Sequence, residues 1–176
     1  MPNYYCLPKA FFRTGHQTEV RLLSDDITDS KLELIAGSAL IDSRQVATKK
    51  ERVTLVFGDT VMELAPKGLY RFDALPGRPP RLRVYKGQAI VRLGETSRKL
   101  TKTKALELDG TSLAQPKAFD PDFRDEFDKW NDRRSKIVAR MARTGAKRKR
   151  PLSGFGNGSR RRGGGGSGRV RDASQQ

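Results

Sequence analysis

The chain has 176 residues, of which 35% are hydrophobic and 32% charged, with a formal net charge of +16. That size suits about one domain of ordinary dimensions, and the polar surplus points to one compact body plus a part with little to bury. One cysteine, Cys6, excludes an internal disulfide, and Cys6 with the single histidine, His16, cannot make a zinc site. A balance this basic favours soft binding to polyanions and says nothing about fold.

Residues 1–30 read as an irregular N-terminal segment with one short apolar patch, "EVRLL". The opening "MPNYYCLPKAFFRTGH" has prolines and basic residues but no apolar h-region, so it does not read as a signal peptide. No apolar run in the chain approaches the ~20 residues that span a bilayer, so no transmembrane segment is predicted.

Residues 31–118 alternate apolar and polar in short runs, the period of half-buried strands. Three of these runs share one template around a glycine. About Gly37 in "LELIAGSALID", Leu32 and Leu34 precede and Ala39 and Ile41 follow. About Gly58 in "VTLVFGDTVMEL", Val53 and Leu55 precede and Thr60 and Met62 follow. About Gly87 in "LRVYKGQAIVRLG", Leu82 and Val84 precede and Ala89 and Val91 follow. Side chains alternate along a strand, so these offsets point to opposite faces unless the chain turns at the glycine. A two-residue hairpin ending on Gly restores the parity, and so does a Gly bulge or a corner between sheets. Lys86-Gly87 suits the hairpin, while Ala36-Gly37 and Phe57-Gly58 suit it less, and the alternatives stay open. Either device predicts an all-β body of antiparallel strands, a β-sandwich or jelly-roll-like arrangement of two sheets face to face. Arg81, Arg83 and Arg92 fall on the outward parity, near Lys99, Lys102 and Lys104, and read as a solvated basic face.

Residues 119–144 have helical spacing. Asp120 is a suitable N-cap and Pro121 a suitable first helical residue. Phe123, Phe127, Trp130, Ile137, Val138 and Met141 form one apolar stripe, and acids crowd the first half while bases crowd the second, which complements the helix dipole. Phe123, Phe127 and Trp130 are the predicted docking residues of this helix on the β body.

Residues 145–176 are rich in Gly, Ser and Arg and read as a disordered basic tail. Nine basic residues against one acid give the tail +8, half of the chain's charge. Lys147, Arg148, Lys149, Arg150, Arg160, Arg161 and Arg162 form two clusters that suit phosphate or another polyanion. Aromatic interleaving for single-strand stacking is reduced to Phe155.

Enzymatic motifs do not assemble. "DPDFRDEFDKWN" has Asp120, Asp122 and Asp125 near calcium-loop spacing, but it lacks the loop's Gly and closing Glu. "GFGNGS" has no strand before it and no helix after it. His16 has no nucleophile at a recognisable spacing. No catalytic residue, cofactor or metal ligand is predicted.

The runs "KLELIAGSALID", "VTLVFGDTVMEL", "GLYRF" and "PRLRVYKGQAIVRLG" together resemble a FecR-type domain, the extracytoplasmic β domain of iron-citrate sensor regulators and of many exported bacterial proteins. The resemblance covers about residues 20–112, and "FRDEFDKWNDRRS" is similar to a helix that often trails such domains. It implies a β scaffold that recognises a protein or a cell-envelope component outside the cytoplasm. The regulators' sigma-factor-binding segment and membrane helix are not in this sequence, so sigma-factor control is not carried over. The rival expectation is a nucleic-acid-binding protein that uses the tail. An extracytoplasmic location is expected if a leader precedes Met1, and a cytoplasmic one if Met1 is the true start.

Overall fold

A computed structural model describes residues 4–7, 10–26, 29–44 and 52–148. Residues 1–137 form one compact unit, and the second unit, residues 138–176, is described only through residue 148, as the continuation of a helix. In chain order the strands are β1 (Tyr4–Leu7), β2 (Ala10–Thr14), β3 (Glu19–Asp25), β4 (Asp29–Asp42), β5 (Arg52–Phe57) and β6 (Thr60–Leu64). They continue as β7 (Leu69–Ala74), β8 (Arg81–Lys86), β9 (Gln88–Leu93), β10 (Thr96–Thr101), β11 (Lys104–Glu107) and β12 (Lys117–Ala118). One helix follows, α1 (Glu126–Arg148).

The 14-residue strand β4 organises the body. Its first half pairs with β3 and β5; its second half pairs with β2 and β7. The far sheet therefore holds β3, β4, β5, β6, β9 and β10, and the helix-side sheet holds β1, β2, β4, β7, β8, β11 and β12. The bend between the halves falls at Gly37, whose φ is +98°. A Cβ there would stand 2.6 Å from the Thr18 Cα, so the crossing needs both the positive φ and the missing side chain.

Gly87 works the same way. The strand before it, β8, pairs with β7 and β11, and the strand after it, β9, pairs with β6 and β10, so Gly87 is a corner between sheets. Its φ is +90°, and a Cβ would stand 2.5 Å from the Tyr70 hydroxyl. That hydroxyl lies 2.7 Å from the Ala65 carbonyl and 2.9 Å from the Gln88 carbonyl, tying the corner to the preceding turn. Of the three templated glycines only Gly58 lies in a hairpin turn. Phe57 pairs with Thr60, so the two turn residues are Gly58 and Asp59, one place later than the template puts them.

The parity argument holds in all three cases. Leu32, Leu34, Ala39, Ile41, Leu55, Met62, Leu82, Val84, Ala89 and Val91 all belong to one buried cluster between the sheets, with Phe12, Tyr70, Phe72 and Leu106. Burying a side chain of this size contributes about 1.5–3 kcal/mol.

Three expectations are corrected. The sheet is mixed, because β5 runs parallel to the first half of β4. The chain leaves β4 in one sheet and returns beside that strand's start in the other, which a local hairpin pattern does not encode. Residues 1–30 are not irregular: β1, β2 and β3 lie there and extend both sheets. The helix does not occupy 119–144 but Glu126–Arg148, so residues 145–148 are helical instead of part of the tail. Asp120 caps a turn by accepting the Asp122 N–H at 2.9 Å. The helix cap is Asp125, whose Oδ1 accepts the Asp128 N–H at 3.0 Å. Both aspartates have the local chemistry of an N-cap; an ion pair from Arg71 to Asp125 adds the tertiary contact that Asp120 lacks.

Candidate binding surface

The outer faces of β4, β7 and β8 carry polar and charged side chains between their buried apolar ones. In β7, Tyr70 and Phe72 point into the core, so Arg71 and Asp73 point out. Register then sets Arg71 opposite Leu40 of β4 and Arg83 of β8, and Asp73 opposite Ser38 and Arg81. Two arginines face each other across neighbouring strands, which needs carboxylates to hold them. Asp73 supplies one, 3.0 Å from Arg71 Nε and 2.6 Å from Arg83 Nη2, and it also accepts the Ser38 hydroxyl at 2.6 Å.

The cap and first half of α1 cover this face with their own carboxylates. Arg71 reaches Asp125 at 2.7 Å and Asp128 at 2.8 Å, and its guanidinium lies 5.3 Å from the Phe127 ring centre. The Tyr85 hydroxyl donates to Asp128 at 3.1 Å. Further along, Arg13 Nη1 donates to Asn131 Oδ1, and the Ser135 hydroxyl donates to Asp42 at 2.8 Å. Asp42 is also gripped by Arg44 through two bonds of 2.8 and 2.7 Å, with Arg13 at 3.5 Å.

The electrostatics follow from this crowding. Burial would raise the Asp125 carboxyl, but hydrogen bonds from Arg71 and from the Asp128 N–H outweigh it and hold it down to about 2. Burial pushes the Asp128 carboxyl above its usual range despite Arg71. Burial would also raise Asp42, yet hydrogen bonds and charge from Arg44, with Ser135, keep it low. Burial raises the Tyr85 hydroxyl to about 12. Asp42 and Asp125 are thus held as carboxylates by their arginine partners, which suits ion-paired recognition.

Apolar contact beneath α1 is small: Leu40, Leu69 and Tyr85 are buried there, with Phe119 and Phe127 packed partly against them. The Phe119 ring meets Tyr85 edge-on at 5.1 Å, and the Arg124 guanidinium lies over the Tyr85 ring, 4.4 Å from its centre. Two recesses flank the helix start. One of about 500 Å³ opens between the β7–β8 connection and residues 119–125, lined by Arg78, Arg81, Arg83, Glu107 and Phe123. The other, about 360 Å³, lies beside His16, Phe127, Trp130 and Arg133.

The predicted docking residues divide. Phe127 belongs to the packed cluster and stacks on the half-buried Trp130 with ring centres 6.1 Å apart. Phe123 precedes the helix and is 76% exposed, so it does not dock. Among the described side chains of α1, those with no exposure are Asp128 and Asn131. The outward bases also divide, Arg81 and Arg83 onto the helix-side sheet and Arg92 onto the far sheet, where it pairs with Glu63. Lys147 and Arg148 fall in the last described turn of α1, while Lys149, Arg150, Arg160, Arg161 and Arg162 lie outside the described residues. Sequence reasoning missed Arg13, Asp42, Arg71, Asp73, Asp128 and Asn131. The available signal was the polar stripe Asp128, Asn131 and Ser135 on α1, of which only Asp128 was read, as dipole complement. Among the described residues no group of His, Cys, Asp or Glu is placed to hold a metal ion, and no helix is long and apolar enough to cross a membrane.

No family model matches the sequence, and no curated protein matches it. The fold is similar to two crystal structures of a "putative anti-sigma factor" from Parabacteroides distasonis, at 1.65 and 2.50 Å resolution. Each has a TM-score of 0.57 at 12% sequence identity, over 69% of this chain and 57% of that one. The chain thus spans little more than half the length of those structures, and the likeness is one of fold.

Proposed function

We propose that this chain is a non-enzymatic recognition module of the FecR-like kind, working outside the cytoplasm. A stiff β scaffold presents a surface to a protein or cell-envelope component, and the basic tail rests on anionic polymer. The fold shared with a "putative anti-sigma factor", a name for a binding regulator, carries this reading. The ion-pair cluster beside α1 supports it, because Asp42 and Asp125 are held low by their arginine partners and serve as fixed charges for recognition. The test is export. A fusion of the full coding region to alkaline phosphatase, which needs its disulfides, is active only in an oxidising compartment. We expect activity, and an inactive but intact fusion overturns the extracytoplasmic reading.

The second reading, nucleic-acid binding, is favoured by one feature, the +8 of residues 145–176. Binding of duplex DNA is measured across a salt series, with the full chain and with a chain ending at residue 148. Under the leading reading DNA binds weakly and without sequence preference. A sequence-selective, tail-dependent affinity favours the rival instead.

A further inference from the structure

The face beneath α1 is cationic and aromatic in its own right. Arg13, Arg71 and Arg83 surround Leu40, Leu69 and Tyr85 on the outside of the helix-side sheet. What α1 and its cap place on that face are mostly polar groups: Asp125, Asp128, Asn131 and Ser135, with Phe127 as the apolar anchor. The fit is imperfect, since Asp128 Oδ1 and Asn131 Nδ2 are buried without a hydrogen-bond partner. A buried polar atom left so is destabilising, and desolvation offsets much of what an ion pair gains. The residues leading into the helix form an exposed turn at Asp120–Asp122 and end on the exposed Phe123. A dock of this kind opens at far lower cost than an apolar core.

We propose that this face is a recognition surface for an acidic amphipathic helix of a protein partner, and that residues 125–137 occupy it in cis as a stand-in. Charge complementarity selects the occupant. The surface takes carboxylates three residues apart, as Asp125 and Asp128 are, an amide three further on, and an aromatic ring between the acids. A partner helix repeating that pattern makes the same bonds and displaces α1. The proposal deepens the binding-module reading and rests on it. The export and DNA tests do not involve this face, so either idea can fail alone.

The probe is a peptide of residues 119–137, carrying the chain's single tryptophan. The receptor is the full chain with Trp130→Phe, which leaves the peptide as the sole indole. A second receptor adds Asp125→Asn and Asp128→Asn to loosen the cis helix. We expect the peptide's emission to shift to the blue on the second receptor, and at least about tenfold weaker binding to the first, whose surface is already occupied. Adding Arg71→Gln to the second receptor should abolish binding. No shift on a second receptor that keeps its strand signal in far-UV circular dichroism overturns the proposal, and so does equal affinity for both receptors. Displacement of the peptide by a DNA oligomer of equal affinity overturns it too, because the face is then a general polyanion patch. If the second receptor fails to fold, hydrogen exchange on the unmodified chain decides. Amides of residues 129–137 should open ahead of those in β7 and β8, and exchange of both only through global unfolding sinks the idea.

Discussion

The two faces of β7 and β8 are built from the same residues in alternation and held by opposite chemistry. Inward, Tyr70, Phe72, Leu82 and Val84 join an apolar core shared by both sheets. Outward, Arg71, Asp73, Arg83 and Tyr85 meet a helix through ion pairs and hydrogen bonds, with a small apolar patch beside them. The inner face gains from every apolar area removed from water and needs no particular partner orientation. The outer face gains only when each charge finds its opposite, and it loses steeply when one is missing. One face therefore fixes the fold, and the other fixes what lies on it.

Phe72→Ala should test the inner side most severely. The ring is fully buried and meets Phe57 at 5.3 Å between centres, so truncation leaves a cavity between the sheets. We expect about 3–5 kcal/mol of lost stability in a single cooperative transition by chemical denaturation. A loss under about 1 kcal/mol would mean that the sheets are not packed on one core.

Arg71→Gln should come next, at about 3 kcal/mol, because it strands the buried Asp128 and releases Asp125 and Asp73 together. Its signature differs from the first. Trp130 emission should move toward that of a solvated indole before the strand signal in circular dichroism is lost. If fluorescence and dichroism change together, the outer face is as cooperative as the core and the contrast fails.

The inner face was largely legible in the sequence and the outer one was not. The glycine template worked because parity is a property of the local chain: whichever device turns it at Gly37, Gly58 or Gly87, Leu32 and Ala39, or Val84 and Ala89, must end on one side. Which device is used depends on distant groups. Gly87 is a corner with the Tyr70 hydroxyl pressed beside it, and no local feature of "YKGQ" names Tyr70. The parallel pairing of β4 with β5 is likewise a matter of where the chain returns. The charged dock was hidden for the same reason. Arg71 lies 54 residues from Asp125, and Arg13 lies 118 from Asn131, so their pairing has no local period.

Acidification should separate the faces at smaller amplitude. Asp125 is held down to about 2, so its contribution is full above the ordinary carboxylate range and is lost as pH falls from about 4 to about 2. Asp128 is raised, so its protonation in the folded chain works the other way, favouring the docked helix as pH falls toward that range. Because the Asp125 side chain is 45% exposed, its share is discounted for solvent screening to about 1 kcal/mol. Trp130 fluorescence titrated below pH 4 should report undocking while the strand dichroism holds. Asp125→Asn should flatten that limb, and an unchanged limb would assign the transition to another carboxylate.

Phe123→Ser should do least, and that makes it a sharp check on how the helix is held. An aromatic stripe through Phe123, Phe127 and Trp130 would make all three contribute to docking. The geometry separates them: Phe123 lies ahead of the Asp125 cap and is 76% exposed, whereas Phe127 packs against Leu40, Leu69 and Tyr85. Phe123→Ser should then change stability by no more than about 0.5 kcal/mol, the range of ordinary surface substitutions. Phe127→Ser should cost about 2 kcal/mol or more, since it removes a partly buried ring and its contact with the Arg71 guanidinium. Equal losses at the two positions in thermal melts would restore the apolar stripe as the docking element. They would also demote the arginine–carboxylate bonds beneath α1 to a consequence of packing.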